Sequence, residues 1–516
     1  MKKVILFILF LVLISHNCFN QSIDSFQYDF IQLSESKKLD YAMEKLNLIL
    51  TTQNKINSEK QDNQFTIIHF GDSHIQGDYF SGEFRNILQS YFGNSGNGII
   101  FPYSLAKSYG PRGMLSTTNG VWSSSNILRN DNSNKGLSGY SISTFDSTAK
   151  IKISFNEKFK FPVTKKFKIW YETKTDSTDF YLNENFTVIN DEKNKNGWGV
   201  RTYEFIKDSL NIELSVVQKN KKNAGFTFHG IEFISPIKSG INYYQCGVVG
   251  AKFTSLIKNA KHIFSQLEYI KPDLIIFSFG TNEAYDKNVD TTNYFDKVNA
   301  FINQLNIDVP NSAIIITTAP DTRSQGRTPP NQIAVNEQLI KISKFHDVSI
   351  FDLNKAMGGW GSLNKWYKKN LVSGDKLHFK VAGYALQGKM FSHAFLEHYN
   401  AKFKSNSLDL SILKDSIIER IKPILWKAPQ QKEQKEQEQK EQKEQKEQEQ
   451  KIEKEEVIIP VKIKEANSKK NSYIVKKGDS IIKIARKHNL DYKKLLRINN
   501  LTEKSIIQIG QKIKLY

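Results

Sequence analysis

A serine in a tight turn is the first residue in this chain whose surroundings suit chemistry. Gly71-Asp72-Ser73-His74 directly follows the apolar run Phe65–Phe70. That places Ser73 at the C-terminal end of a strand, where ligands bind in open α/β sheets. A serine hydroxyl is a weak nucleophile until a base takes its proton, and that base needs an acid to orient it. Asp375 and His378, about 300 residues later, supply both in one short segment. Two further blocks lie between them. Gly247-Val-Val-Gly250 is a glycine turn after an apolar stretch, and Gly280-Thr-Asn282-Glu283 follows the run 273–279. Glycine offers a backbone N–H with no side chain in the way, and asparagine offers a neutral amide donor. Each block alone has a plainer reading as a turn, a backbone hinge or a helix cap. Four of them in this order, mostly at strand ends, form a pattern.

The elements needed to position these residues are legible. The apolar runs 273–279, 313–317 and 348–351 read as buried parallel strands. Helical patterns cover 81–92, 253–267, 295–305, 333–345 and 381–398. Strands alternating with helices predict a doubly wound parallel α/β sheet. Between about 101 and 240 the rhythm changes. Period-two stretches such as 150–155, 167–171, 210–216 and 226–233 predict an all-β sandwich inserted into the α/β fold. Trp122, Trp170, Tyr171 and Trp198 lie in this insert as core or as a sugar platform. Trp360 and Trp366 precede the Asp375 segment with the same two readings.

The termini bear on location. Met1-Lys2-Lys3 followed by the apolar run Val4–Ile14 and the polar Ser15–Gln21 reads as a cleaved signal peptide, too short to span a bilayer comfortably. Ser15-His16-Asn17 before Cys18 is a poor lipobox, and no later segment is apolar enough to cross a membrane. With Cys18 removed, Cys246 is alone, and no intrachain disulfide is possible. It reads as a buried structural thiol. The formal charge of +20 fits either a lysine-rich composition or an anionic envelope polymer as partner. Export argues against nucleic acid. A Gln/Lys/Glu tract from Gln430 to about Glu456 has no apolar face and serves as a spacer.

The four blocks resemble those of the SGNH hydrolases, also called GDSL esterases. The resemblance implies a flavodoxin-like doubly wound sheet, with Ser73, Asp375 and His378 as catalytic residues. It implies an oxyanion hole from Ser73, Gly250 and Asn282, and neither cofactor nor metal. His74 stands where the family's short name has leucine. The inserted β region resembles the arrangement in peptidoglycan O-acetylesterases, whose module is carbohydrate-binding-like. The final segment, from Tyr473-Ile-Val-Lys-Lys-Gly478-Asp479-Ser480-Ile481 through Asn499-Asn500-Leu501 to Ile507-Gln-Ile-Gly510, resembles a βααβ LysM module. That resemblance implies glycan contacts from Gly478, Asp479, Ser480, Ile481, Leu501 and Ile507.

The expected organisation is a signal peptide at 1–21 and a helical lead-in at 22–60. Hydrolase parts follow at 61–100 and 241–405, around a β-sandwich at 101–240. A linker at 406–470 and a LysM domain at 471–516 complete it. The expected activity is removal of O-acetyl groups from peptidoglycan or another acetylated glycan by an exported, periplasmic, wall-associated or secreted enzyme, with no membrane partner once the signal is cleaved. The alternatives are acetyl transfer, another polysaccharide such as acetylated xylan, or a wall-binding protein without activity.

Overall fold

A computed structural model describes residues 30–53, 63–425 and 472–515, apart from 111–112, 132, 157–163, 177, 207–210, 219–224, 324–325, 477–478, 489, 491, 503–504, 506 and 509. The expected signal peptide and the Gln/Lys/Glu tract lie outside the described residues. The chain divides into two compact units, Met1–Ala428 and Pro429–Tyr516.

The first unit is built on a six-stranded sheet. Its spatial order is Ser349–Phe351, Ala313–Thr317, Leu274–Ser278, Asn63–Gly71, Ser239–Gly247 and Asn94–Gly96, every pairing parallel. The first strand in the chain, Asn63–Gly71, lies inside the sheet, and succeeding strands are added on both sides of it. This is the α/β architecture expected from the alternation of elements. It creates a switch point at the C-terminal end of Asn63–Gly71, where chain connections diverge and leave a crevice.

Both faces of the sheet are covered, so its strands are apolar on both sides. Ile67, Leu274 and Ile276 point into one core with Met43, Phe84, Leu88 and Phe391. Ile68, Ile275 and Phe277 point into the other with Phe253, Phe301 and Leu339. Each such side chain contributes on the order of 1.5–3 kcal/mol by leaving water.

Helix boundaries differ from expectation where polar side chains intervene. The helix expected over 253–267 is two, Phe253–Lys258 and Ala260–Ile270. Asn259 breaks it: its amide donates to the carbonyls of Ser255 and Ile127, competing with the regular ladder. The lead-in contains the helix Lys37–Gln53, and the closing helix runs Val381–Lys402. The linker expected from 406 starts later. Ser411–Leu425 is a helix whose Leu413, Ile417 and Ile421 are buried in the first unit's core. Its apolar spacing is short and runs directly into the charge-rich tract.

The inserted region is antiparallel throughout its described pairings. One sheet runs Phe186–Lys193, Trp198–Phe205, Lys166–Thr173, Phe226–Ile234, Tyr140–Thr144 and Ser123–Asn126. A second runs Met114–Asn119, Lys150–Phe155, Ile212–Gln218 and Thr178–Leu182. The short strand Ile99–Ile100 already pairs with Phe226–Ile234, so the β region starts slightly before 101. Trp170 and Trp198 are buried and stacked at 5.5 Å between ring centres, which makes them core. The chain re-enters the parallel sheet at Ser239.

The second unit pairs Ser472–Ile474 antiparallel with Lys512–Lys514. Two helices, Ile481–Lys487 and Tyr492–Ile498, lie between them in sequence. Val475, Ile484, Leu495 and Ile513 form its core. This is the expected βααβ unit.

Candidate active site

Three adjacent strands deliver three of the four blocks to one place. Gly71 lies opposite Gly247 on one side and Ser278 on the other, so the segments after them leave the sheet side by side. Ser73 opens a one-turn helix, Ser73–Gln76, capped by Asp72, whose Oδ1 accepts from the N–H of His74 at 2.9 Å. The packing beneath tolerates only glycine. A Cβ on Gly247 would lie 2.2 Å from the backbone N of Gln76.

The fourth block arrives from a different element. Residues 373–378 form a tight turn, with the N–H of Ser373 on the carbonyl of His378 at 2.9 Å and Lys376 in the left-handed region at φ 55°. The N–H of Arg323 donates to the carbonyl of Lys376 at 3.1 Å and ties this turn to the loop after Ala313–Thr317. Asp321, fully buried, in turn holds Arg323 at 3.2 Å and accepts the N–H groups of Gly361 and Leu363.

Across this arrangement Ser73 Oγ stands 3.0 Å from His378 Nε2, and His378 Nδ1 stands 2.7 Å from Asp375 Oδ2. The other Asp375 oxygen accepts the N–H groups of Leu377 and His378 at 3.1 and 3.0 Å. Partial burial alone raises the Asp375 carboxyl. The hydrogen bonds from His378 and these backbone donors outweigh it and hold the group below the usual carboxylate range. An ionised carboxylate on Nδ1 leaves Nε2 as the basic nitrogen facing the serine. The His378 side chain is about one-third exposed, whereas Ser73 is 9% exposed.

Gly250 lies in the loop after Ser239–Gly247 at φ 78°, a conformation glycine adopts without strain. The N–H of Val248 donates to Gly71, and that of Val249 donates to Gln76 Oε1 at 2.7 Å. Asn282 Nδ2 donates to the carbonyl of Ala251 at 2.9 Å and approaches Asp72 Oδ2 at 3.3 Å. The Gly250 loop, the Asn282 turn and the Ser73 turn are therefore bonded into one frame.

Several participants carry no signal in the sequence. Gln76 is fully buried. Its Oε1 accepts from Tyr140 as well as Val249, and its Nε2 donates to Ser108. It joins the Ser73 helix to the Gly250 loop and to the β insert. Glu283 is buried beneath, accepting the N–H groups of Phe253 at 2.7 Å and Gly280 at 3.1 Å. Burial raises its carboxyl to about 7, against the pull of those donors. Burial also raises Asp72 to about 8, opposed by the N–H of His74 and assisted by the nearby Glu283 charge. His74 is buried, with Nδ1 2.9 Å from the Tyr384 hydroxyl, and its ring lies 5.5 Å from that of His378. It borders the serine–histidine pair on the interior side. Trp366 is core, donating to the carbonyl of Met357, whereas Trp360 is partly exposed. Cys246 is buried and free, its thiol raised by burial.

In the second unit, Asp479 Oδ2 accepts from the Tyr473 hydroxyl and the N–H of Lys476. Ser480 Oγ accepts from the N–H of Lys483 at 3.3 Å as a helix cap. Ile481 packs inside at 6% exposure, which corrects its expected place as a surface contact: it begins the helix and faces Ile484 and Leu495 in the core. Leu501 and Ile507 are half-buried, and Gly478 lies outside the described residues.

An α/β sheet carrying a Ser–His–Asp chain at its switch point defines a serine hydrolase architecture. Residues 237–386 match the model of the GDSL-like Lipase/Acylhydrolase family, and residues 473–515 match that of the LysM domain. The chain thus joins a GDSL-like acylhydrolase domain to a LysM domain. Among solved structures it is similar to one described as "Peptidoglycan O-acetylesterase in action", with 22% identity and a TM-score of 0.59. That match covers 72% of this chain and 99% of the other. It shows a shared fold that includes the β insert. A lipase/acylhydrolase from Enterococcus faecalis (20% identity, TM-score 0.25, 31% of this chain and 77% of that one) also matches. So does an acetylxylan esterase from Geobacillus stearothermophilus (20%, 0.23, 31% and 73%). No curated protein matches the chain.

Proposed function

We propose that this chain is an exported serine esterase that removes O-acetyl groups from peptidoglycan and is held on the glycan by its LysM domain. The observation that carries the reading is the continuous hydrogen-bonded chain Ser73–His378–Asp375, at 3.0 and 2.7 Å, at the mouth of a parallel sheet. The joined LysM domain and the likeness to a peptidoglycan O-acetylesterase support the choice of polymer.

In this reading His378 Nε2 takes the Ser73 proton as Oγ attacks the acetyl carbonyl. The oxyanion is held by the N–H groups of Ser73 and Gly250 and by the Asn282 amide. Of the two Asn282 contacts, the one to Asp72 is at the long end of hydrogen bonding, so that hydrogen turns to the oxyanion. His378 returns the proton to the departing sugar oxygen, with Asp375 stabilising the imidazolium between the two transfers. Water, activated by the same histidine, then cleaves the acetyl-serine and releases acetate. No metal takes part.

The test is acetate release from O-acetylated peptidoglycan by the wild type and by Ser73→Ala. Release that falls at least about 10⁴-fold in the variant is expected. Ser73-dependent cleavage of a simple aryl acetate, with peptidoglycan untouched, would move the substrate to another polymer or the reaction to acetyl transfer. No cleavage of either would leave a wall-binding protein.

A further inference from the structure

Away from the serine, three side chains converge where the β insert meets the parallel-sheet domain. Glu172 comes from the strand Lys166–Thr173, His229 from the strand Phe226–Ile234 and His262 from the helix Ala260–Ile270. One potential ligand atom from each lies within 4.8 Å of the other two. His229 Nε2 is 3.8 Å from Glu172 Oε2, too far for a hydrogen bond.

His229 is 1% exposed, and neither of its ring nitrogens has a hydrogen-bond partner. A buried imidazole normally satisfies at least one, because an unpaired buried polar group costs about 1–3 kcal/mol. The backbone puts it there by a special device. The pairing of its strand with Lys166–Thr173 slips between Phe228 and Gly230, which makes His229 the extra residue of a β-bulge. Bulges re-aim a side chain and concentrate near functional positions. Gln266, one turn along the helix from His262, is also fully buried with its amide oxygen unpaired. Asn134 Nδ2 donates to Glu172 Oε2 at 2.8 Å, the kind of bond that orients a ligating carboxylate. The nearby Lys135 ammonium is already paired with Asp131 at 2.6 Å.

We propose that Glu172, His229 and His262 bind a divalent transition-metal ion of the zinc class, which clamps the β insert to the hydrolase domain. Two imidazoles and one carboxylate suit Zn²⁺, whose tetrahedral ligands stand about 3.4 Å apart at ordinary bond lengths. The present spacing closes to that with side-chain adjustments of about 1 Å. Gln266 meets His262 through its amide nitrogen, Nε2 to Nε2 at 3.4 Å, so the fourth position falls to a water unless that amide turns over. The role is structural, and it is independent of the esterase reading, because none of these groups contacts the Ser73–His378–Asp375 chain.

The experiment uses the full-length protein, stripped with a chelator and titrated with Zn²⁺ and with Co²⁺ as a spectroscopic probe. The readouts are metal per chain by native mass spectrometry and the melting temperature. Wild type is expected to bind one ion and to melt higher with it. His262→Gln and Glu172→Gln, chosen to keep size, are expected to weaken binding at least about 100-fold and to lose the metal-dependent rise. Far-ultraviolet circular dichroism establishes that each variant is folded. Stripped wild type that binds no ion at micromolar concentration overturns the proposal without reference to any variant. Equal binding by both folded variants overturns it too, by placing the ion elsewhere, such as on Asp375 and His378.

Discussion

Asn282 holds two neighbours with one amide group, and this makes its contribution measurable. If its second hydrogen serves the oxyanion, Asn282→Ala lowers kcat on an aryl acetate by about 100–1000-fold, with KM nearly unchanged. A purely structural amide would instead show as a lower melting temperature at ordinary kcat. Beneath it, two buried acids make a pH prediction. Glu283 and Asp72 stay protonated in the folded chain up to about 7 and about 8, whereas the unfolded chain releases these protons near its ordinary values of 4.5 and 3.8. The folded state binds more protons between those limits. On their account stability is therefore greatest at the acid end and falls as pH rises from about 4 to 8. The slope is at most about 1.4 kcal/mol per pH unit for each group. Urea midpoints measured from pH 5 to 8.5 should show the fall, and Glu283→Gln should flatten its lower half. An unchanged profile in that variant would mean that Glu283 is ionised in the fold. Ser73, Asp375 and His378, which the fold brings within hydrogen-bond reach of one another, stand out in the sequence because a hydroxyl, an imidazole and a carboxylate are the side-chain types this proposed chemistry needs. Gln76 and Glu283 do not. What they do depends on which distant backbone groups they face, Val249 for one and Phe253 and Gly280 for the other, and no spacing along the chain encodes that.

At the scale of elements, the one-turn helix Ser73–Gln76 is too short to stabilise itself. It is fixed by what surrounds it. Gln76 bonds it to Val249, Tyr140 and Ser108, and Gly247 lets the neighbouring strand come close. Gln76→Leu keeps the volume but strands the Val249 N–H. We expect a loss of about 1–3 kcal/mol in stability from that orphaned donor. Activity should fall more than the stability loss implies, because the same N–H sits one residue before Gly250. Gln76→Glu keeps the acceptor and should restore much of kcat. Equal activity in Gln76→Leu and wild type would show that the Gly250 loop holds itself. The parallel strands were read from sequence because they are buried on both faces and so appear as unbroken apolar runs. The break at Asn259 and the helix Ser411–Leu425 depart from the sequence expectation for opposite reasons. One polar side chain overrode a continuous helical pattern, and one amphipathic pattern was obscured by the charged tract next to it.

At the scale of the molecule, the two units divide the work proposed for them. Deleting residues 429–516 should leave kcat/KM on a soluble aryl acetate within about twofold. The rate on insoluble peptidoglycan should fall by about 10²-fold, because the tether's effective concentration is lost. Equal losses on both substrates would argue that the second unit supports folding of the first. Within the first unit, the β insert leaves and rejoins the parallel sheet at neighbouring points. Asn94 and Gly96 pair with Ile241 and Asn242, and the N–H of Gly98 donates to the Asn242 side chain at 3.1 Å. A chain that departs and returns through one doorway can acquire or shed the cassette between without redrawing the sheet. Tyr140 and Ser108 qualify that freedom, because both reach from the cassette to Gln76. The insert is bonded into the support of the Ser73 turn, and a chain without it would leave that glutamine short of two partners.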